Sequence, residues 1–505
     1  MKKLILLFIA FLASVTIFRL TQIGKLQLAA DEAYFWEWSR HLDISYHDQG
    51  PILGLAIFLS TQLLGKISEF SVRLPSVIFA LGTIIFVYLL AKNIFQNIYS
   101  GLLSAIFLQV IPITAVGGML ITADIPMVFF WTLSLYFLYK AVFQEKSICW
   151  YLAGISSALG IMSKYTMVFF SGSVFLFLLF SRKQRRWFLR KEPYIALGLS
   201  LIGFLPTLIW NIKNNFLTYG YIRSLFFSGE YSYPGIQGLK GVLEYTGGQL
   251  GVVSPFIGLF FIYLIIFLSR EGFKKKNDDF LFLFWTSLTV LLVFGVISFF
   301  SSVEENWPVP AYISLSIAGG GFLSSDFFKN FKYKTIISRY AVFAFSFGFL
   351  LTALLHLHAL YKIFPLAVHM DPTDKLRGWK ELGKEVTALM KESPAHTFVL
   401  SNYFGTASEL AFYIEGQPEI RCVDTGQRIR QYRLWSKFDS LAGDDAVYVS
   451  RDPEAEPIVK SIFHSVELEK TIPIYRDGQR IRTFYLYRCK KFKGNYELPK
   501  SPTLF

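Results

Sequence analysis

Charge is scarce in this chain. Asp, Glu, Lys and Arg make up 17% of its 505 residues, against 53% hydrophobic ones. A water-soluble fold of this length carries about a quarter of its residues charged, so a soluble enzyme is excluded. Cysteine is scarcer, with three residues. That count excludes a disulfide scaffold, and no Cys or His spacing has the zinc pattern. No internal repeat and no low-complexity tract is visible. Disorder is excluded by an excess: 52 Phe, 27 Tyr and 10 Trp are far more aromatic surface than an unfolded chain tolerates. The solvent of most of this chain is lipid.

Apolar runs long enough for bilayer-crossing helices recur through the first 360 residues or so. They fall at roughly 4–20, 73–95, 101–118, 125–143, 148–163, 165–181, 193–210, 248–268, 280–300, 308–323 and 340–361, about eleven transmembrane helices. The charges test that count. Lys2 and Lys3 precede the first span; Arg182, Lys183, Arg185, Arg186, Arg190 and Lys191 fill one loop; Arg270 and Lys274 to Lys276 another; Lys329, Lys332, Lys334 and Arg339 a third. With eleven spans all of them lie on the side of the N-terminus, which the positive-inside rule makes cytoplasmic. The C-terminus is then extracytoplasmic. Merging 148–163 with 165–181 would put the six-charge loop outside, so the two are kept apart. The net charge of +14 is thereby absorbed by topology and anionic lipid, and no nucleic acid is needed. Leu28-Ala29-Ala30 before Asp31 looks like a cleavage site, but the length of the apolar stretch and the spans that follow favour an uncleaved anchor.

Residues 1–361 are therefore read as a transmembrane domain with external loops at 21–72 and 211–247, and 362–505 as a soluble extracytoplasmic domain. In the latter, helical text from Leu376 to Lys391 gives way to strand-like runs at Thr397–Ser401, Ala446–Ser450 and Thr483–Tyr487, an α/β or α+β pattern. Cys149 reads as a small apolar residue at an inner helix end. Cys422 and Cys489 both fall outside the membrane, where one disulfide is permitted, although spacing cannot show that they meet.

The long external segments carry the chemistry. The first holds Asp31-Glu32-Ala33-Tyr34-Phe35-Trp36-Glu37-Trp38 and Tyr46-His47-Asp48-Gln49-Gly50-Pro51, and its apolar stretch 52–65 reads as a helix lying along the interface. Asp31 and Glu32 have two readings: solvated acids at a helix start, or a general base with its supporting acid, able also to carry a divalent metal ion. Asp124, in Thr122-Ala123-Asp124-Ile125-Pro126, is a sound N-cap and equally a second acid at an outer helix end. Lys164 can snorkel or grip phosphate.

These residues resemble a known family. Asp31-Glu32 after the first helix, the Tyr-aromatic-Trp-x-Trp-Ser text, the Ser45–Pro51 segment, Thr122-Ala123-Asp124, Ser163-Lys164-Tyr165 and Asn306-Trp307-Pro308-Val309-Pro310-Ala311-Tyr312 together resemble the bacterial polytopic glycosyltransferases of the GT-C fold, in particular the aminoarabinose lipid A transferase and protein O-mannosyltransferase group. The resemblance spans roughly residues 25–320 in order and topology. It implies a polyprenyl-phosphate-linked sugar donor, an extracytoplasmic acceptor that is lipid A, another envelope glycolipid or a protein hydroxyl, and Asp31, Glu32 and Asp124 as the acids of the site. Inverting displacement at an anomeric carbon needs a base and stabilisation of the departing phosphate; Lys164, Arg73 and Arg223 are the candidate cations, and Tyr46, His47, Asp48 and Gln49 the substrate loop. Where aminoarabinose transferases carry a lysine after the acid of this loop, this chain has Gln49, so the donor phosphate must be held otherwise or the donor sugar differs. Whether a metal takes part stays open.

Other features are structural on this reading. His356 and His358, two apart on a helix, face different ways. Gly319-Gly320-Gly321 has no strand before it and no Lys-Ser after it, and fits close helix packing. Tyr231, Tyr233 and Arg223 lie in a segment that could cover substrate. The competing classes are a lipid-linked sugar transporter or flippase, which would show repeated halves and polar sites at mid-membrane, and an envelope assembly protein.

Overall fold

The computed structural model describes residues 2–218, 237–324, 334–367, 370–425 and 430–496. Arg223, Tyr231 and Tyr233 lie outside them, as do residues 219–236 of the 211–247 loop.

The chain is a multi-pass membrane protein. Seven described helices are long and apolar enough to cross a bilayer: Lys2–Gln22, Glu69–Phe95, Asp124–Phe143, Glu192–Lys213, Pro255–Lys275, Asp278–Phe300 and Lys334–Tyr361. The other four expected spans are shorter apolar helices, Ile98–Val110, Ser147–Ile161, Tyr165–Phe180 and Val309–Ser324. The sequence explains their ends. Asn277 caps Asp278–Phe300 by accepting the Phe280 N–H at 3.2 Å, and Asn97 caps Ile98–Val110 through the Tyr99 N–H at 2.9 Å, each satisfying an orphan donor of the first turn. The uncertain pair is separate, broken after Ile161 and restarted by a short 3₁₀ turn at Tyr165–Val168.

Three expected spans are interrupted. The run read as 101–118 is split at Ile111 into Ile98–Val110 and Pro112–Gly117, and the run read as 193–210 into Glu192–Ile202 and Leu205–Lys213. The run read as 248–268 is cut at Ser254, whose φ is +85°. Gln237–Val253 and Pro255–Lys275 are distinct helices, because the left-handed serine and a proline with no N–H stop the ladder there.

The chain divides into two compact units. The first contains residues 1–22, 49–53 and 73–357; the second contains 23–48, 54–72 and 358–505. The first has a large apolar core that includes Phe107, Trp131, Phe177, Phe260 and Phe282, all buried, and a smaller one around Phe8, Ile84 and Tyr88. Helix Val309–Ser324 packs closely on Ile98–Val110: a Cβ on Gly320 would collide with the Ser104 backbone, which is the reason for small residues there.

The second unit is built on a five-stranded mixed sheet, β1 (Phe398–Ser401), β2 (Ile420–Cys422), β3 (Ala446–Ser450), β4 (Phe463–Arg476) and β5 (Gln479–Phe492), in the order β2-β1-β3-β5-β4. β1 runs parallel to β2 and β3, while β5 is antiparallel to β3 and β4. The β4–β5 turn is Asp477-Gly478, both at positive φ, the two-residue hairpin chemistry. The sheet settles the cysteine question. Cys422 lies on β2 and Cys489 on β5, with β1 and β3 between them, so about three strand spacings, ~14 Å, separate them. A disulfide needs Cα atoms within about 7 Å; both thiols are free and buried.

The external loop after the first helix folds into this second unit. Helix Ala30–Arg40 packs on helix Phe404–Tyr413, with Trp36 edge-on to Phe412 at 4.9 Å and Tyr34 edge-on to Phe404 at 5.2 Å. Its aromatic text fills a protein core.

Candidate active site

Asp31, Glu32, Tyr46, His47 and Asp48 belong to the second unit; Gln49, Arg73, Asp124 and Lys164 belong to the first.

In the second unit, Asp31 and Glu32 sit in the first turn of helix Ala30–Arg40 and do different things. The Glu32 side chain is buried, and its Oε2 accepts the Ala29 N–H at 2.9 Å, closing the helix start. Asp31 is the open one, with 58% of its side chain exposed. Its Oδ1 is held by Arg430 Nη1 at 3.1 Å. The same guanidinium reaches the partly buried Asp48, Nε lying 3.8 Å from Oδ1, and stacks 4.0 Å over the Phe404 ring. Asp48 also accepts the Tyr34 hydroxyl at 2.7 Å and has His47 Nδ1 at 3.4 Å. Burial alone would raise the Asp48 pKa, but Arg430, His47 and Tyr34 hold it down at about 2; it is a fixed anion that fastens Arg430 beside Asp31. Gln431 continues the clamp, accepting the His47 N–H at 2.7 Å and donating its own N–H to the Tyr34 hydroxyl at 3.0 Å. Tyr46 is a core residue: it stacks on Trp38 at 4.3 Å and donates its hydroxyl to the Trp38 carbonyl at 2.9 Å.

In the first unit, Asp124 starts helix Asp124–Phe143 and both of its oxygens are engaged. Lys164 Nζ donates to Oδ1 at 2.7 Å, and Asn306 Nδ2 to Oδ2 at 2.7 Å. Lys164 lies just beyond the end of helix Ser147–Ile161, with its ammonium 6.0 Å from the Trp307 ring centroid. The backbone around Gly50 is pressed against the same helix end: Ile52 N–H donates to the Met162 carbonyl at 3.3 Å, and a Cβ on Gly50 would overlap that carbonyl. Gly50 thus lets the loop carrying Gln49 come to rest two residues from Lys164. Arg73 is buried in the second turn of helix Glu69–Phe95. Arg223 lies outside the described residues. Among the described residues, no group of three or more His, Cys, Asp or Glu is placed to hold a metal ion. His356 bonds the Thr352 carbonyl and His358 the Asp371 carboxylate, so the two do not converge.

The chain matches the dolichyl-phosphate-mannose-protein mannosyltransferase family over residues 48–210. It is 24% identical over 379 residues to the lipid A galacturonosyltransferase RgtD of Rhizobium johnstonii, covering 74% of this chain and 75% of that protein. Among solved structures it is similar to ArnT from Cupriavidus metallidurans bound to undecaprenyl phosphate, with a TM-score of 0.66 at 13% identity over 96% of this chain and 97% of that one. It is also similar to the oligosaccharyltransferase AglB of Archaeoglobus fulgidus in complex with an inhibitory peptide and a dolichol-phosphate, with a TM-score of 0.51 at 11% identity over 87% of this chain and 69% of that one. The chain has the GT-C fold.

Within this GT-C chain the mannosyltransferase-like region includes Asp48, Arg73, Asp124 and Lys164. The sequence had no local signal for Arg430, which meets Asp31 across 399 positions. Asn306 stood in the quoted Asn306–Tyr312 text without a role; its amide on Asp124 supplies one.

Proposed function

We propose that this chain is an integral-membrane glycosyltransferase that transfers a sugar from a polyprenyl-phosphate carrier to lipid A or another envelope glycolipid, on the extracytoplasmic face of the bacterial inner membrane. The observation that carries the reading is the similarity to a lipid A galacturonosyltransferase over three quarters of both chains, and the ArnT-like fold over nearly the whole length supports it. The N-terminus is cytoplasmic and the second unit extracytoplasmic on this reading.

The reaction joins an acceptor hydroxyl oxygen to the anomeric carbon and breaks the bond from that carbon to the carrier phosphate. Asp31 takes the acceptor proton: it is the exposed acid, it keeps Oδ2 open, and Arg430 fixes its orientation. Glu32 supports it by holding the helix start. Asp124, with both oxygens engaged, orients Lys164 rather than moving a proton. Lys164 and Arg73 are the cations assigned to the departing phosphate.

The test is transfer in native membranes from radiolabelled undecaprenyl-phosphate sugars, comparing the intact chain with Asp31→Asn. Label entering a glycolipid fraction and lost in the variant supports the reading. A second reading, transfer to a protein hydroxyl, is favoured by the mannosyltransferase family match, and label in the protein fraction would select it. No transfer from any donor by the intact chain would overturn both.

A further inference from the structure

Arg19 lies in the last turn of the first membrane helix, Lys2–Gln22, and is 3% exposed. An arginine inside a membrane span is expensive unless something offsets its charge. Its Nη2 donates to Gln109 Oε1 at 2.6 Å. Among the described residues that is its one hydrogen bond, and it makes no ion pair, so most of its five donors are unspent on protein. The space beside it is built for a guanidinium: a Cβ on Gly118 would lie 2.5 Å from Nη2 and 2.6 Å from Cζ, so bare backbone is required there.

The group borders a cavity of about 220 Å³ within the first unit, lined mostly by apolar side chains, whose polar lining residues include Arg19, Gln109, Thr122, Asp124 and Asn306. The one other charged residue lining this cavity, Asp124, has its counter-charge outside the lining. Asp124 is matched by Lys164 at 2.7 Å, so the proposed phosphate cation Lys164 is already neutralised by protein, while Arg19 has a neutral amide alone. A buried guanidinium facing a cavity with no counter-charge is stabilised by an anion.

We propose that Arg19 is the anion-receiving group of this cavity, taking a phosphate or carboxylate oxygen of the lipid-linked sugar. The inference rests on the glycosyltransferase reading for the identity of the ligand. A phosphate would come from the carrier; a carboxylate would come from a uronic-acid sugar. Both match the planar, forked donor set of arginine better than a point-charge ammonium. Gln109 is a positioning residue that keeps the fork aimed.

The experiment measures binding of undecaprenyl phosphate and of the neutral undecaprenol to the full chain in nanodiscs, together with transfer from undecaprenyl-phosphate hexuronate and hexose donors, for the intact protein, Arg19→Met and Arg19→Lys. If phosphate is the partner, Arg19→Met loses about tenfold or more in undecaprenyl phosphate affinity, undecaprenol binding is unchanged, and Arg19→Lys recovers part of the loss. If the sugar carboxylate is the partner, carrier binding is unchanged and Arg19→Met loses transfer of the hexuronate by a similar factor while keeping the hexose. A purely structural arginine would lower every probe equally. That outcome, or unchanged behaviour with every probe in a folded variant, overturns the proposal. Should Arg19→Met fail to fold, Gly118→Ala displaces the guanidinium while keeping its charge, and the same phosphate-over-alcohol or hexuronate-over-hexose selectivity must fall. An intact chain that neither binds undecaprenyl phosphate nor transfers from either donor overturns the glycosyltransferase reading itself; normal transfer with Arg19 indifferent overturns this inference alone.

Discussion

The Lys164 ammonium donates to the Asp124 carboxylate at 2.7 Å, with both side chains nearly buried. Two residues forty positions apart, each ambiguous in the sequence, are thus one unit. Breaking such a pair by removing one partner typically costs about 3–5 kcal/mol, whereas removing both is often neutral. Asp124→Asn and Lys164→Met are therefore each expected to lower the thermal midpoint markedly, and the double variant to recover most of the stability without recovering transfer. A double variant as unstable as the sum of the singles would mean that the two side chains act separately.

Arg430 ties Asp31 to Asp48, and its loss has a pH signature. The Asp48 carboxyl is held at about 2, below its ordinary 3.8. A depressed carboxyl contributes stability above its unfolded pKa and loses it as pH falls through the folded one. The contribution is on the order of 2 kcal/mol at neutral pH. Arg430→Met leaves burial, which raises the pKa, less opposed. The variant should unfold more easily at pH 7 and begin its acid unfolding at higher pH than the intact chain, with transfer reduced because Asp31 loses its orienting partner. Parallel acid-unfolding curves for the two proteins would refute the assignment.

The apolar helices of the membrane part were legible because hydropathy is a local signal. Run length, a proline or a capping asparagine set most helix ends, and β1, β3 and the helix ending at Lys391 were readable from period and β-branching. What escaped was long-range. Trp36 and Tyr34 pack on Phe412 and Phe404, more than 360 positions on, and no pattern within the run Tyr34–Trp38 names those partners. The break at Ser254 was missed because the apolar run continues through it while the backbone turns left-handed. In the site, acids and Lys164 were conspicuous as charges in an apolar chain, whereas Arg430 was one arginine among many in a polar segment. Arg19 lay within a run long enough to be read simply as a span.

Gly50 offers a steric test of the substrate loop. A methyl there would overlap the Met162 carbonyl, which is backbone and cannot rotate away. Gly50→Ala is expected to cost about 1–3 kcal/mol as an overpacked contact and to shift Gln49 relative to Lys164. Transfer should fall more than tenfold even where the variant remains folded by thermal unfolding in detergent. Unchanged activity would show that the position of this loop does not matter to the reaction.

Glu37 provides the last prediction, with the opposite sign of pH dependence to Asp48. Burial pushes its carboxyl up from 4.5 to about 7, with Arg40 and the Tyr432 hydroxyl offsetting part of the effect. It sits on helix Ala30–Arg40 between Arg40 Nη1, 2.8 Å from Oε1, and the Tyr432 hydroxyl, 3.5 Å from Oε2. A carboxyl whose folded pKa is raised stabilises the fold fully below its unfolded pKa, and that stability is lost as pH rises through the folded value. Between about pH 4.5 and 7 the loss amounts to on the order of 3 kcal/mol. Glu37→Gln keeps the shape and the acceptor for Arg40 but has no proton to lose, so its thermal midpoint should be flatter across this window and should exceed that of the intact chain at pH 8. Measuring both midpoints from pH 4.5 to 8 decides it: curves that stay parallel would mean that Glu37 is ionised throughout and that the Arg40 pair outweighs burial.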